Sequence, residues 1–520
     1  MSKSVTWWRR SGVAGLGLAV ALSTAVLGAG VAQAAPSSDD NTVSPVRGAI
    51  ADSEDNSLGT ITYAEDFEGQ FFPANSETTV TLTLSDGARF SPDVTPTFTA
   101  PTGYIINNQV QDEDQNTTDP ASDTYSFKVL APASPKKAVI TVSGLDVDVA
   151  AGVNPGTITL TSTPGDTNPA LNVLNRVRFG GQDRYETAQK LFNFGVLNDE
   201  FDPTNVVLSS GEGYADALSA TFLAGQLDTG TLLTRSTFLS PDTRQAIADN
   251  KVRKVYLTGG TGAVSAGVEN ELRNMRVGDR ADGTKIQVVR LGGADRYLTN
   301  KKINEYTEVG FPAKSDTALL ASGRCFADAL ALGPIAYAEN FPIILTPGNT
   351  LGSSAAAQLD LRNPDNLVLA GGTASISAAV ESNLKKGNYD RVDRFGGADR
   401  TSTAAMIADY ADRNARFGDD FNSSVVHLAN GQGYADALAA GPVAGGAGQV
   451  ILLTKNSTTL GAGTEDYLGD RTTEQIQTIS LIGLTGSLTN QVAKDAANAV
   501  GVTPINPGPS APAAGRAIKS

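Results

Sequence analysis

Cysteine and histidine are almost missing from this sequence. One cysteine, Cys325, in 520 residues excludes an internal disulfide and any metal site assembled from several cysteines. One histidine, His427, leaves too few ligands for a zinc amidase or peptidase, which holds its metal with several histidine or carboxylate groups. A Ser-His-Asp triad has material only around that same residue. The glycine-rich phosphate loops are absent: neither G-x-G-x-x-G nor a Walker sequence occurs. Ser209-Ser210-Gly211 does not form the G-x-S-x-G nucleophile elbow. No cofactor, metal, nucleotide or nucleic-acid partner is therefore expected. Beyond the N-terminus there is no long apolar run, and the C-terminal tail carries no LPxTG-type signal, so neither a membrane span nor a covalent wall anchor is expected in the mature chain.

What is present is unevenly charged. The net charge is −15, which by itself argues against a polyanionic ligand. Residues 35–175 hold 19 acids against 5 bases, however, so the remaining chain is close to neutral. At the N-terminus Lys3, Arg9 and Arg10 precede an apolar run from Val13 to Val31, and Ala32-Gln33-Ala34 fits the small-x-small rule, so 1–34 reads as a cleaved secretory signal. Residues 35–58, rich in Ser, Asp and Pro, read as a flexible lead-in. From 59 to 163 short alternating runs such as Thr79–Leu84 and Thr124–Leu130, with turn clusters between them and no helix, predict an all-β sandwich. Asp112-Glu113-Asp114, with Asp119 nearby, lacks EF-hand spacing and reads as a solvated acidic loop. Thr163–Pro169 reads as a short linker.

Then one pattern occurs three times. RFGGQDRYET begins at Arg178, RLGGADRYLT at Arg290 and RFGGADRTST at Arg394. Each is followed by a second block (SSGEGYADALSATFLAG from Ser209, ASGRCFADALALGPIAYA from Ala321, ANGQGYADALAAGPVAGG from Ala429) and by a third (VYLTGGTGAVS from Val255, LVLAGGTASIS from Leu367, ISLIGLTGSLT from Ile479). A period above 100 residues marks small domains, here 176–285, 286–390 and 391–502, with 503–520 a disordered Pro/Ala/Gly tail. In the first copy, apolar strands at Arg176–Phe179, Asn205–Ser209, Thr231–Thr234 and Val255–Gly260 alternate with helical stretches. Asp183 and Ser265 stand as N-caps, and Ser240-Pro241 starts a third helix. The order βαβαβαβα predicts a mostly parallel sheet covered on both faces in each of three α/β subdomains.

These three blocks, recurring together and in order, resemble the type 2 cell wall-binding repeats of Gram-positive surface proteins. The resemblance implies a pseudo-threefold arrangement of the subdomains within a monomer. It also implies noncovalent attachment to the cell wall through an anionic wall polymer or peptidoglycan. Arginine's planar fork suits phosphate or carboxylate groups, so Arg178, Arg184, Arg290, Arg296, Arg394 and Arg400 are the candidate polymer-binding residues. Asp183, Asp295 and Asp399, each beside an arginine, are expected to make structural ion pairs. Asp216, Asp328 and Asp436 are expected in the first turn of a helix, where a carboxylate is favourable. His427 and Cys325 are expected as buried or partly buried structural residues. Copy three departs from the pattern at Thr401 and at Gly483-Leu484-Thr485, and copy one lacks the Gly-Pro found at Gly333-Pro334 and Gly441-Pro442. The expected molecule is thus a secreted, nonenzymatic surface protein displaying its β domain. A wall-remodelling hydrolase with activity in that domain, or an adhesion or surface-layer component, are the alternatives.

Overall fold

A continuous strand of thirteen residues, Thr167–Phe179, joins the two halves of the chain. Its first part pairs antiparallel with Gly156–Thr163 in the N-terminal half, and its last part, from Asn175, pairs parallel with Thr478–Ile482 in the third repeat. The expected linker is therefore strand, apart from 164–166, which lie outside the described residues. Pro169 is accommodated because the register shifts there: Ile158 faces Leu171 while Thr159 faces Pro169. Proline, with no N–H to donate, is tolerated in sheets at such bulges. The computed structural model describes residues 41–44, 47–50, 53–64, 71–85, 87–91, 96–111, 123–136, 138–150, 156–163, 167–279, 283–311, 315–413, 421–422, 424–471 and 475–500. The signal segment, the 112–114 acidic loop with Asp119, and the tail from 503 lie outside them.

The N-terminal half is an antiparallel β region. Glu77–Leu84 lies between Gly156–Thr163 and Thr124–Leu130, and Ile105–Gln111 follows outside. Thr60–Ala64 lies between Asn41–Ser44 and Val139–Ser143. Period-two alternation sends every second side chain inward, as in Thr124–Leu130. Ile61, Tyr63, Phe72, Leu82, Phe90, Phe127 and Ile140 form the core of this region. The 35–58 stretch is not simply a flexible lead-in: Asn41–Ser44, Arg47–Ile50 and Ser53–Ser57 are strands. Arg47–Ile50 adds parallel to Thr167–Phe179. Local polarity hid these strands because their partners are supplied by distant segments.

Each repeat builds a four-stranded parallel sheet, but not from its own strands alone. The first sheet runs Thr231–Thr234, Asn205–Ser210, Lys254–Thr258, Gln287–Leu291. The last of these carries Arg290, the opening of repeat 2. The second sheet takes Arg391–Phe395 from repeat 3 in the same way. The third takes Arg176–Phe179 from repeat 1. The expected self-contained βαβαβαβα unit is thus corrected: every opening strand completes the neighbouring repeat's sheet, and the exchange closes from third to first. The repeat sequence places that strand but not the sheet edge it joins.

The helices of the second block carry the packing between repeats. Ala215–Gln226 is one helix, whereas prolines divide its counterparts into Ala327–Ala331 with Gly333–Ala338, and a 3-10 turn at Ala437–Ala439 with Ala440–Gly446. Equivalent positions meet. A Cβ on Gly441 would stand 2.9 Å from Thr221 Cγ2, and one on Gly333 would stand 3.3 Å from the Gly441 Cα. The residues preceding each ADAL block, Tyr214, Phe326 and Tyr434, form a triangle of rings with centroids 5.5–6.0 Å apart. One apolar core runs through all three repeats, so each unit buries surface that it would expose alone.

Candidate functional site

In the first sheet the parallel strands Asn205–Ser210 and Lys254–Thr258 are neighbours at the point where strand order switches, Thr231–Thr234 lying on the far side of the former. Open parallel sheets receive ligands beyond the carboxyl ends of such a strand pair. Those ends lead into the second and third sequence blocks, and the opening block of repeat 2 folds over both. The three recurring motifs therefore meet in one cleft of about 580 Å³, walled by Tyr214, Asp216, Gly260, Gly293, Arg296 and Tyr434 among others.

The opening arginines are drawn into the framework. Arg290 donates from Nη1 to the Gly259 carbonyl at 2.9 Å, from Nη2 to Ser265 at 3.3 Å and from Nε to Glu269 at 2.6 Å. Arg394 repeats this with Gly371, Ile376 and Glu381. Arg178 donates to Gly483 and Leu488 and to the Asn490 side chain. Burial works against ionising Glu269 and Glu381, yet Arg273 with Arg290, and Lys385 with Arg394, hold both carboxyls below their ordinary range. Each arginine thus locks the third-block turn of the preceding repeat to the opening strand of its own.

The second arginines stand nearer the surface. Arg184, Arg296 and Arg400 donate to the carbonyls of Gly211, Gly323 and Gly431 in their own repeats. Each guanidinium also lies over a ring of the preceding repeat: Arg184 over Tyr434 at 5.8 Å, Arg296 over Tyr214 at 5.2 Å, Arg400 over Phe326 at 5.8 Å. Arginine stacks favourably on aromatic faces in this way. The structure brings these three cations and the three-ring cluster together. The rings were not singled out in the sequence, although an aromatic directly before each ADAL is the signal that marks them.

The aspartates divide by role. Asp183 caps the helix Arg184–Leu197 by accepting from the Tyr185 and Glu186 amides, Asp295 accepts from Leu298 N, and Asp399 from Thr401 N and Ser402 N. The expected pairing with the adjacent arginine is corrected. Asp183 instead approaches Arg235, at 3.6 Å, because successive helix residues point to different faces. Asp216 lies in a first helical turn, as expected. Its carboxyl is pushed above the ordinary range by burial, which a Thr299 hydrogen bond and the Arg296 charge only partly offset. Asp328 is raised likewise, with Ser375 and Arg400 opposing. Asp436 accepts from Thr187 Oγ1 at 2.9 Å across the contact between repeats 3 and 1.

The two scarce residues sit in the repeats. His427 is buried, bonded to Ser480 and Gln449 at 2.9 and 2.7 Å, and burial pushes it down to about 4. Cys325 is a partly buried free thiol. Ser265 caps its helix as expected, whereas the Ser240 hydroxyl makes no cap bond and the helix there starts on Pro241.

Three parallel-sheet repeats with exchanged strands, and a ligand-sized cleft at the carboxyl end of the first sheet, define a modular repeat protein. The chain belongs to the Cell wall binding domain 2 (CWB2) family, whose model matches residues 178–269, 290–381 and 394–493. It is 28% identical over 323 residues to N-acetylmuramoyl-L-alanine amidase LytC of Bacillus subtilis (strain 168), covering 62% of this chain and 58% of the relative. It is 29% identical over 327 residues to the Amidase enhancer of the same organism, covering 63% of this chain and 41% of the relative. The chain thus spans about half the length of these two relatives. Its fold is similar to that of Cwp6 from Clostridium difficile, with a TM-score of 0.55 at 16% identity, covering 90% of this chain and 69% of the other. Membership of the family makes the three repeats cell wall binding domains.

Proposed function

We propose that the protein is secreted and held noncovalently on the cell wall by its three repeats, which grip an anionic wall polymer while the N-terminal β region is displayed outward. The observation that carries this reading is the recurrence of one arrangement. Arg184, Arg296 and Arg400 each lie over an aromatic ring of the neighbouring repeat. Closed strand exchange and the meeting of equivalent helix positions support a pseudo-threefold arrangement of the repeats. A repetitive polymer then engages several weak sites at once and gains avidity over any one of them. The opening arginines Arg178, Arg290 and Arg394 spend their donors inside the fold, so in this proposal they build the sites and the second set of arginines makes the ionic contacts. The repeats attach and do not cut: the chain's one histidine is buried among Ser480 and Gln449, and what the amidase relative shares with this chain is no longer than the repeat region.

The test is retention of the full-length mature chain on isolated walls, before and after acid extraction of their secondary polymers. Retention that falls on extraction and weakens with added salt supports the proposal. Undiminished retention after extraction moves the ligand to peptidoglycan, and no retention at all ends the reading.

A further inference from the structure

The positions that line this cleft differ from repeat to repeat. Where repeat 1 has Glu212 and Gly213, repeat 2 has Arg324 and Cys325, and repeat 3 has Gln432 and Gly433. Where repeat 1 has Gly260, repeat 3 has Leu484, 42% exposed. The first cleft, of about 580 Å³, is lined by three carboxylates, Glu212, Asp216 and Asp295, against one guanidinium, Arg296. That guanidinium already donates to Gly323 O at 2.6 Å and to the Tyr214 hydroxyl at 3.0 Å. Glu212 and Asp295 are exposed, burial shifts Asp216 toward its protonated form, and the excess of acceptors over free donors favours hydroxyl and ammonium groups over phosphate and carboxylate.

Two further features define the occupant. Tyr214 and Tyr434 wall the cleft with ring centroids 5.5 Å apart. The Tyr434 hydroxyl donates to the Glu212 carbonyl at 3.3 Å, which holds that ring in place. Arg296 covers one face of Tyr214 and Arg184 one face of Tyr434, so the rings offer the cleft their remaining apolar surface beside acceptor oxygens, which suits a sugar with its C–H faces and hydroxyl rim. The volume falls within the roughly 300–1,000 Å³ of small-molecule sites.

We propose that the cleft between repeats 1 and 2 is a subsite for one uncharged or amine-bearing sugar unit of the polymer, while the surfaces around Arg184 and Arg400 meet its anionic groups. The inference rests on the polymer-binding reading above and narrows its ionic contacts from three arginines to these two. The cleft reads the sugar and the two arginines read charge.

Gly213 provides the test. Gly213 lines the cleft, and a Cβ there meets no heavy atom within 4 Å, so the position has room for a side chain to begin. Saturation-transfer NMR on the full-length chain would use N-acetylglucosamine, glucosamine, glucuronate and glycerol phosphate as probes, each at millimolar concentration. The two non-acidic sugars are expected to respond, and Gly213→Leu to weaken them by about tenfold or more. Gly433→Leu, the same change at the matching position of repeat 3, is expected to leave them unchanged, and thermal melts establish that both variants are folded. The inference is overturned if glucuronate or glycerol phosphate responds as strongly, if Gly213→Leu has no effect, or if neither non-acidic sugar responds. Wall retention of the unmodified chain, measured in parallel, separates the outcomes. A retained chain with a silent cleft loses only the sugar subsite, whereas a chain that is not retained loses the polymer reading itself.

Discussion

The Nη1 of Arg290 donates to the carbonyl oxygen of Gly259 at 2.9 Å, tying the first motif of repeat 2 to the third motif of repeat 1. Two short sequence blocks that lie 31 residues apart are thereby one structural joint. Its geometry separates residues that hold the repeats together from those free to meet a ligand.

Arg290→Ala leaves two carbonyls without this donor and Glu269 without one of its two cations. The expected loss is about 2–3 kcal/mol of stability, read by urea denaturation. Arg290→Lys recovers little of it, because an ammonium cannot reproduce the fork that reaches Gly259, Ser265 and Glu269 together.

Gly259 has φ +99°, and a Cβ on it would stand 2.7 Å from Asp216 Oδ2. Gly259→Ala therefore combines backbone strain with a collision against a buried carboxylate, at an expected cost of at least about 2 kcal/mol. Gly262→Ala, in the same turn but with no atom within 4 Å of its Cβ, is the control. Its melting curve is expected to match the parent within about 0.5 kcal/mol.

His427 makes the third repeat acid-sensitive. Its folded pKa, about 4, lies below the unfolded value of 6.5, so between those limits the unfolded chain binds the proton and the native chain does not. Stability is full above pH 6.5, declines as pH falls through the window and levels off below pH 4. The total loss from this group is about 3 kcal/mol. His427→Leu, the residue type at the matching Leu319, is expected to flatten that decline in a pH series of denaturation curves, whatever it does to stability at neutral pH.

Arg400 lies over Phe326 and is partly exposed between repeats 2 and 3. Arg400→Ala is expected to weaken retention on isolated walls by about tenfold and to lower its salt dependence, with the melting temperature little changed. Arg290→Ala, in contrast, should lower the melting temperature first. If both variants lost retention only in proportion to stability, the division between framework and contact arginines would be wrong.

Much of this was legible in residue order. Three blocks in register announced three α/β units, Asp183 announced a helix start, and period-two alternation at Thr124–Leu130 announced a strand. Those features arise from interactions among near neighbours, which a linear pattern records. What the tertiary structure decided was partnership: that each opening strand belongs to another repeat's sheet, that Asp183 turns toward Arg235 and away from Arg184, and that Tyr214, Phe326 and Tyr434 meet. It also decided that Asn41–Ser44 is a strand and that the strand at Arg176–Phe179 begins as early as Thr167, since hydrogen bonds from segments far away in sequence satisfy these backbones. Repetition fixed the kind of unit in advance; which surfaces the units would share depended on where packing in three dimensions buried the most apolar area and left the fewest polar groups unpaired.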